Sequence, residues 1–230
     1  MLLFRRYIRS TINREVNLIM AFSGFSPHDF ATFSIEGLEP RMKAIQERIQ
    51  PKFKELGEEL GATVSALAGH EMFLHIAKHA RRKVNPPVDT WMAFASNKRG
   101  YKQFPHFQVG LFDDRLFIWL ALIYELPAKT NIGKTYLKHI DELRQTIPGS
   151  YMLSFDHMKK DAVSAADLSK KELKAALEKF RDVKKTELLI GKVMMADEPL
   201  ISDGPKLTAE IAAVFETLSP LYRLAMQVQP

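Results

Sequence analysis

The sequence predicts a single α+β domain, with a mostly antiparallel sheet of about five to six strands flanked by helices. Three observations lead there. Met42, Ile45, Ile49, Phe53, Leu56 and Leu60 recur at three- and four-residue spacing, the period of an amphipathic helix. From Glu71 to Tyr124 the apolar residues instead alternate or run together over short stretches, which is the texture of strands. No linker, repeat or low-complexity tract interrupts a chain of 230 residues, long enough to bury a substantial core.

The elements follow in order. Ser26 before Pro27 has the N-cap and N1 pattern of a short helix, set in an aromatic loop carrying Phe22, Phe25, Phe30 and Phe33. Pro51 lies inside the first long helical pattern and predicts a kink or a break there. Met72, Leu74 and Ile76 alternate with Phe73, His75 and Ala77, giving a first strand, and Asp89 to Ala95 gives a second. His106 to Phe112 and Arg115 to Tyr124 flank Asp113-Asp114, a two-residue hairpin turn. The second of these strands is apolar on both faces, so it belongs in the centre of the sheet.

Helical pattern returns from Lys129 to Thr146 and stops at Pro148-Gly149. Tyr151 to Phe155 reads as a short strand. Ser169 and Glu172 form a capping box that opens a charged amphipathic helix to Lys185. Leu188 to Met195 is a further strand, and Lys206 to Met226 a closing helix with an interruption expected near Pro220.

Composition excludes several chemistries. There is no cysteine, so disulfides, thiolate catalysis and cysteine-based metal centres are ruled out, and a reducing, cytoplasmic setting is expected. The longest apolar run, Leu116 to Tyr124, is far shorter than the roughly 20 residues of a spanning helix, so no membrane span is expected. Residues 1–19 are basic and partly apolar but lack the layout of a signal peptide. They are expected to be an extension outside the fold, which then occupies residues 20–230.

Charge is concentrated rather than spread. Lys78, Arg81, Arg82, Lys83, Lys98, Arg99 and Lys102 are opposed between positions 78 and 102 by Asp89 alone, a segment of +6 within a chain whose total is +6. Arg5, Arg6, Arg9 and Arg14 against Glu15 add +3, so the remainder is net acidic.

Familiar motifs fail on spacing. His70-Glu71 with His75 lacks the four-residue histidine spacing of a zinc-protease helix. Glu71, His75 and His79 would share a face: in a helix successive members stand about 6 Å apart and could hold one metal, whereas in a strand, which the alternation of Met72, Leu74 and Ile76 favours, they stand about 13 Å apart and could not. Gly133-Lys134-Thr135 ends like a P-loop without its first glycine, because position 128 is Ala128. No nucleophile elbow or dinucleotide fingerprint is present, and no cofactor or metal site is assigned.

What remains is the basic segment, where cations alternate with Trp91, Phe94 and Tyr101. Guanidinium and ammonium groups suit phosphate or carboxylate, and aromatic rings stack on bases. The ligand-binding candidates are therefore His79, Arg81, Arg82, Trp91, Lys98, Arg99, Tyr101, Lys102 and His106. Both basic loops converge if the strands between them pair as neighbours. The ligand would be an anionic small molecule or a nucleic acid. An alternative is an enzyme that uses His75, His79 or His106 for acid–base chemistry in the same pocket.

Phe33-Ser34-Ile35-Glu36-Gly37-Leu38, Lys78 to Arg82, Val84-Asn85-Pro86-Pro87, Asp89-Thr90-Trp91 and Asn97 to Lys102 through Pro105-His106-Phe107 closely resemble the YktB family, a bacterial family of unknown function. The resemblance runs from Met20 to the C-terminus. It implies a cytoplasmic single domain with an antiparallel sheet and flanking helices, and a loose likeness in topology to the catalytic domains of class II synthetases and biotin ligases. It brings no activity, substrate or catalytic residue with it.

Overall fold

A computed structural model describes residues 22–228. The expectation for residues 1–19 lies outside the described residues.

Among the described residues, seven strands form one antiparallel sheet in the order β1-β2-β3-β4-β7-β5-β6. They are β1 Phe73–Ile76, β2 Thr90–Ala95, β3 His106–Leu111, β4 Arg115–Leu122, β5 Met152–Ser154, β6 Val163–Ser164 and β7 Leu188–Met195. The fold is the α+β class expected, with slightly more strands because β6 has only two residues, too few to show a period. β1 to β4 make a meander, and Phe112 N–H bonds Arg115 O across the Asp113-Asp114 turn. β4 lies between β3 and β7 and is buried almost throughout, as its unbroken apolar run requires.

One face of the sheet packs on helices. α1 Pro27–Phe30, α2 Leu38–Ala44, α3 Gln50–Ala68, α4 Lys129–Lys138, α5 Ile140–Thr146, α6 Lys170–Asp182 and α7 Gly204–Met226 provide that layer. Phe53, Leu56, Leu60 and Val64 of α3 and Leu207, Ile211, Phe215 and Leu218 of α7 meet Met92, Phe94, Phe107, Val109 and Ile118 from the strands. The opposite face carries a second apolar cluster, including Trp91, Ala93, Phe117, Trp119, Ala121 and Leu189, to which, among the described residues, strands and connecting segments contribute but no α-helix.

Two proline expectations resolve differently. Pro51 falls in the first turn of α3, at the break between two α-helices that the sequence suggests. A π-turn over Ile45–Ile49 precedes it, and this wider turn accommodates the ring between α2 and α3. The closing helix instead continues through Pro220, starting two residues before the expected Lys206 with Asp203 as its N-cap. The segment 129–146 divides at His139 into α4 and α5. Ser169 caps α6 as read, accepting from Glu172 N–H while the Glu172 carboxylate accepts from Ser169 N–H at 2.9 Å.

Candidate functional site

A cleft of about 350 Å³ opens on the side of the sheet that carries the second cluster, lined by residues 77–82, Trp91, Tyr101, Lys102, Glu125, His157 and Met158. Its position follows from the meander. In a meander, successive connections lie at opposite ends of the strands. The β1–β2 connection, residues 77–89, therefore rises at one end of β2 and the β2–β3 connection, residues 96–105, at the other.

The first connection is shaped by His79, whose φ of 48° makes it the one non-glycine residue with positive φ among those described. The turn closes with Arg82 N–H bonding His79 O, so Ala80 to Arg82 form a wall of the cleft. Arg41 braces the stretch beyond, donating from Nη1 to Pro87 O at 3.0 Å. In the second connection, Gly100 at φ 67° starts a tight turn that lays Tyr101 and Lys102 back along the sheet.

Trp91 is the centre on which these segments meet. Its indole N–H donates to Tyr101 Oη at 2.8 Å, and Lys102 Nζ lies 5.2 Å above its ring. The His79 ring meets it edge-on at 5.4 Å and the His157 ring at 6.1 Å. Lys78, Arg81, Arg82 and Lys102 give the cleft four cations, opposed at its edge by Glu125, whose carboxylate is 3.9 Å from Lys102.

The nine residues singled out from sequence divide accordingly. His79, Arg81, Arg82, Trp91, Tyr101 and Lys102 line the cleft. Lys98 and Arg99 do not: they stay exposed at the far end of β2, with Lys98 Nζ 5.1 Å over the Phe73 ring. β1, β2 and β3, which the two basic loops join, do pair as neighbours, but only the part of the second loop after Gly100 reaches back. His106 is buried, bonded through Nδ1 to Phe104 O and set edge-on to Tyr101, one layer behind the cleft. His75 stacks on Tyr101 at 4.8 Å and bonds Asn97 O. Glu71, His75 and His79 have separate surroundings, His79 bonding Thr90 Oγ1.

Burial acts on these histidines in one direction. It pushes His79 down to about 4, helped by the charges of Arg82 and Lys102. It also takes His106 down to about 4. Both are neutral rings near pH 7 and serve there as hydrogen-bonding groups.

Besides Glu125 and Met158, which also line the cleft, sequence reading missed three groups. His157 lines the cleft, and its Nδ1 lies 2.9 and 2.8 Å from the two oxygens of Glu187, a carboxylate only 1% exposed. Asp89, immediately before β2, is also 1% exposed, and neither carboxylate oxygen finds a donor on another described residue. Burial raises its pKa to about 6 against the opposing pull of His157, Arg82 and Lys102, which places it beside the cleft's charges.

Asp89 has a measurable consequence. Between the ordinary 3.8 and about 6, the folded chain holds a proton that the unfolded chain has released, so this group lowers stability as pH rises through that window. In Asp89→Asn the slope disappears. Urea unfolding should show the variant gaining on the wild type by about 2–3 kcal/mol between pH 4 and pH 7.5. A constant difference across that range would refute the assignment.

Residues 25–222 match the family described as a domain of unknown function, DUF1054. A UPF0637 protein of Oceanobacillus iheyensis is 56% identical over 204 residues, covering 89% of this chain and 97% of the relative. One from Shouchella clausii is 53% identical over 207 residues, covering 90% and 97%, and one from Exiguobacterium sibiricum is 50% identical over 199 residues, covering 86% and 96%. These similarities agree with the resemblance read from residues 33–38 and 78–107. The chain belongs to the DUF1054 family of bacterial UPF0637 proteins.

Proposed function

We propose that this chain is a cytoplasmic protein that binds a small phosphorylated molecule in the cleft over Trp91. The observation that carries the reading is the placement of Lys78, Arg81, Arg82 and Lys102 around an aromatic floor with Glu125 as the cleft's own carboxylate. Cations of this kind recognise phosphate by charge-assisted hydrogen bonds, and the indole beneath Lys102 gives the cleft an apolar floor. The lack of cysteine fits a reducing compartment.

A small ligand is favoured over a nucleic-acid strand because the basic residues do not form one continuous track. Lys98 and Arg99 stand at the other end of β2 from Arg81 and Arg82. A strand-binding groove needs phosphate contacts in series.

Calorimetry with pyrophosphate, AMP and ribose 5-phosphate tests this. Arg82→Ala should weaken the ligand that binds by about tenfold, and Arg82→Ala with Lys102→Ala by about a hundredfold, as expected for losing one and two charge-assisted contacts. Lys98→Ala should leave affinity within about twofold. If none of the three probes binds, or if the double variant binds like the wild type, the reading fails. Steep salt dependence with an oligonucleotide, and none of these effects with small phosphates, would favour nucleic acid instead.

A further inference from the structure

We infer that the cleft is a site of proton transfer, in which His157 Nε2 takes a proton from a hydroxyl of the bound phosphorylated compound or from a water beside it. This rests on the anion-binding reading above and adds a chemical role at the same site.

Each histidine around the cleft commits one ring nitrogen to a hydrogen bond. His75 bonds the Asn97 carbonyl, His79 the Thr90 hydroxyl and His106 the Phe104 carbonyl, all neutral partners. His157 alone among these bonds a carboxylate. Glu187 lies at the start of β7, and its position is fixed by backbone donors: His157 N–H at 2.7 Å and Tyr124 N–H at 3.3 Å. A carboxylate held in this way accepts Nδ1–H, sets the tautomer and stabilises the imidazolium when Nε2 gains a proton. Nε2 has no hydrogen-bond partner among the described residues, and it is the nitrogen left for the cleft that His157 lines. The ring's edge-on packing against Trp91 holds it toward the same floor that Lys102 covers.

The step balances without a further reagent. The O–H bond of the hydroxyl or water breaks, an N–H bond forms at Nε2, and the electron pair stays on oxygen. The new imidazolium lies against Glu187, and Arg82 and Lys102 face the negative charge left on the ligand. The pH behaviour of His79 and His106 supports the choice, since both are poor proton acceptors at neutral pH.

A divalent metal is the competing occupant, because Asp156, His157 and Glu187 each offer a ligand atom within 4.8 Å of the others. Hydrogen bonding argues against it. Both Glu187 oxygens already accept N–H groups, and Nδ1 must carry a proton to reach them. Asp156 is engaged as well, accepting Met158 N–H at 3.0 Å and lying 3.5 Å from Lys159. A metal at Nδ1 would have to displace that proton and with it the His157–Glu187 hydrogen bond that positions the ring.

The test is nitrogen-15 NMR of the histidine rings at pH 7.5, with inorganic pyrophosphate as probe and calorimetry run in parallel. The signal missing from His157→Asn identifies His157. We expect an Nδ1–H tautomer, and an Nε2 resonance that shifts saturably with the dissociation constant calorimetry gives. His157→Asn should weaken pyrophosphate by less than threefold, because the cations hold the anion. Binding of pyrophosphate with an unmoved His157 Nε2 would overturn the inference and leave the binding reading standing. Absence of pyrophosphate binding overturns the inference, and absence of binding by AMP and ribose 5-phosphate as well overturns both. A stoichiometric zinc complex that displaces the Nδ1 proton would replace the inference with a metal site.

Discussion

Replacing Glu187 by alanine should lower the stability of the protein by about 3–5 kcal/mol, more than any other single change at the cleft. The carboxylate accepts from the backbone N–H groups of Tyr124 and His157 and from the His157 ring, and it is almost wholly buried. Alanine removes all of these acceptors and leaves the donors without solvent to replace them. Each buried unpaired donor costs about 1–3 kcal/mol, and the losses partly overlap because residues 155–158 can relax toward solvent. Glu187→Gln should cost less, since one amide oxygen still accepts while the NH2 group confronts a donor. Urea unfolding curves for the three proteins check the order. A loss below about 1 kcal/mol for Glu187→Ala would mean that the carboxylate does not organise this corner of the fold.

Gly191→Ala should be more damaging still. A β-carbon at Gly191 would stand 1.9 Å from Ile118 O, far inside van der Waals contact. Ile118 belongs to β4, which is bonded on one side to β3 and on the other to β7, so its carbonyl has nowhere to move without breaking a ladder. Repacking strain of this kind in a sheet centre exceeds the usual 1–3 kcal/mol of an overpacked core, and about 4 kcal/mol or more is expected. Little soluble folded protein should be recovered. Gly61→Ala is the matched control: nothing lies within 4 Å of its β-carbon and it sits in the interior of α3, so alanine should stabilise by about 0.5–1 kcal/mol. Thermal melts of both variants decide it, and a Gly191→Ala protein melting within a few degrees of the wild type would contradict the close approach of the two strands.

The elements legible in the sequence were those whose signal is local. The β3–β4 hairpin announces itself through Asp113-Asp114 between apolar runs, β7 through Leu188 to Met195, and α6 through its capping box. β5 lies within the strand predicted over Tyr151 to Phe155, although it keeps only three residues, whereas β6, two residues long, is below the length at which alternation exists and is a strand only because it pairs with β5. The site shows the same limit. Composition finds the cations, but it cannot tell that Gly100 divides the second loop into Lys98 and Arg99, which stay away, and Tyr101 and Lys102, which arrive. His157 is an unremarkable histidine between β5 and β6, and its partner lies 30 positions away. The one local hint was Glu187, a charge adjoining the fully buried Leu188 to Ile190. Such a position tolerates a carboxylate only with dedicated donors.

Trp91 gives the molecule an optical property of its own. Of the two indoles in the chain, one touches the ammonium of Lys102, the hydroxyl of Tyr101 and the imidazoles of His79 and His157, while Trp119 lies in the apolar cluster of the same sheet face. Neighbours of this kind govern how an excited indole loses its energy. Any occupant that displaces Lys102 or protonates His157 is therefore reported in the emission of a fluorophore the fold already carries, without a label attached at the cleft.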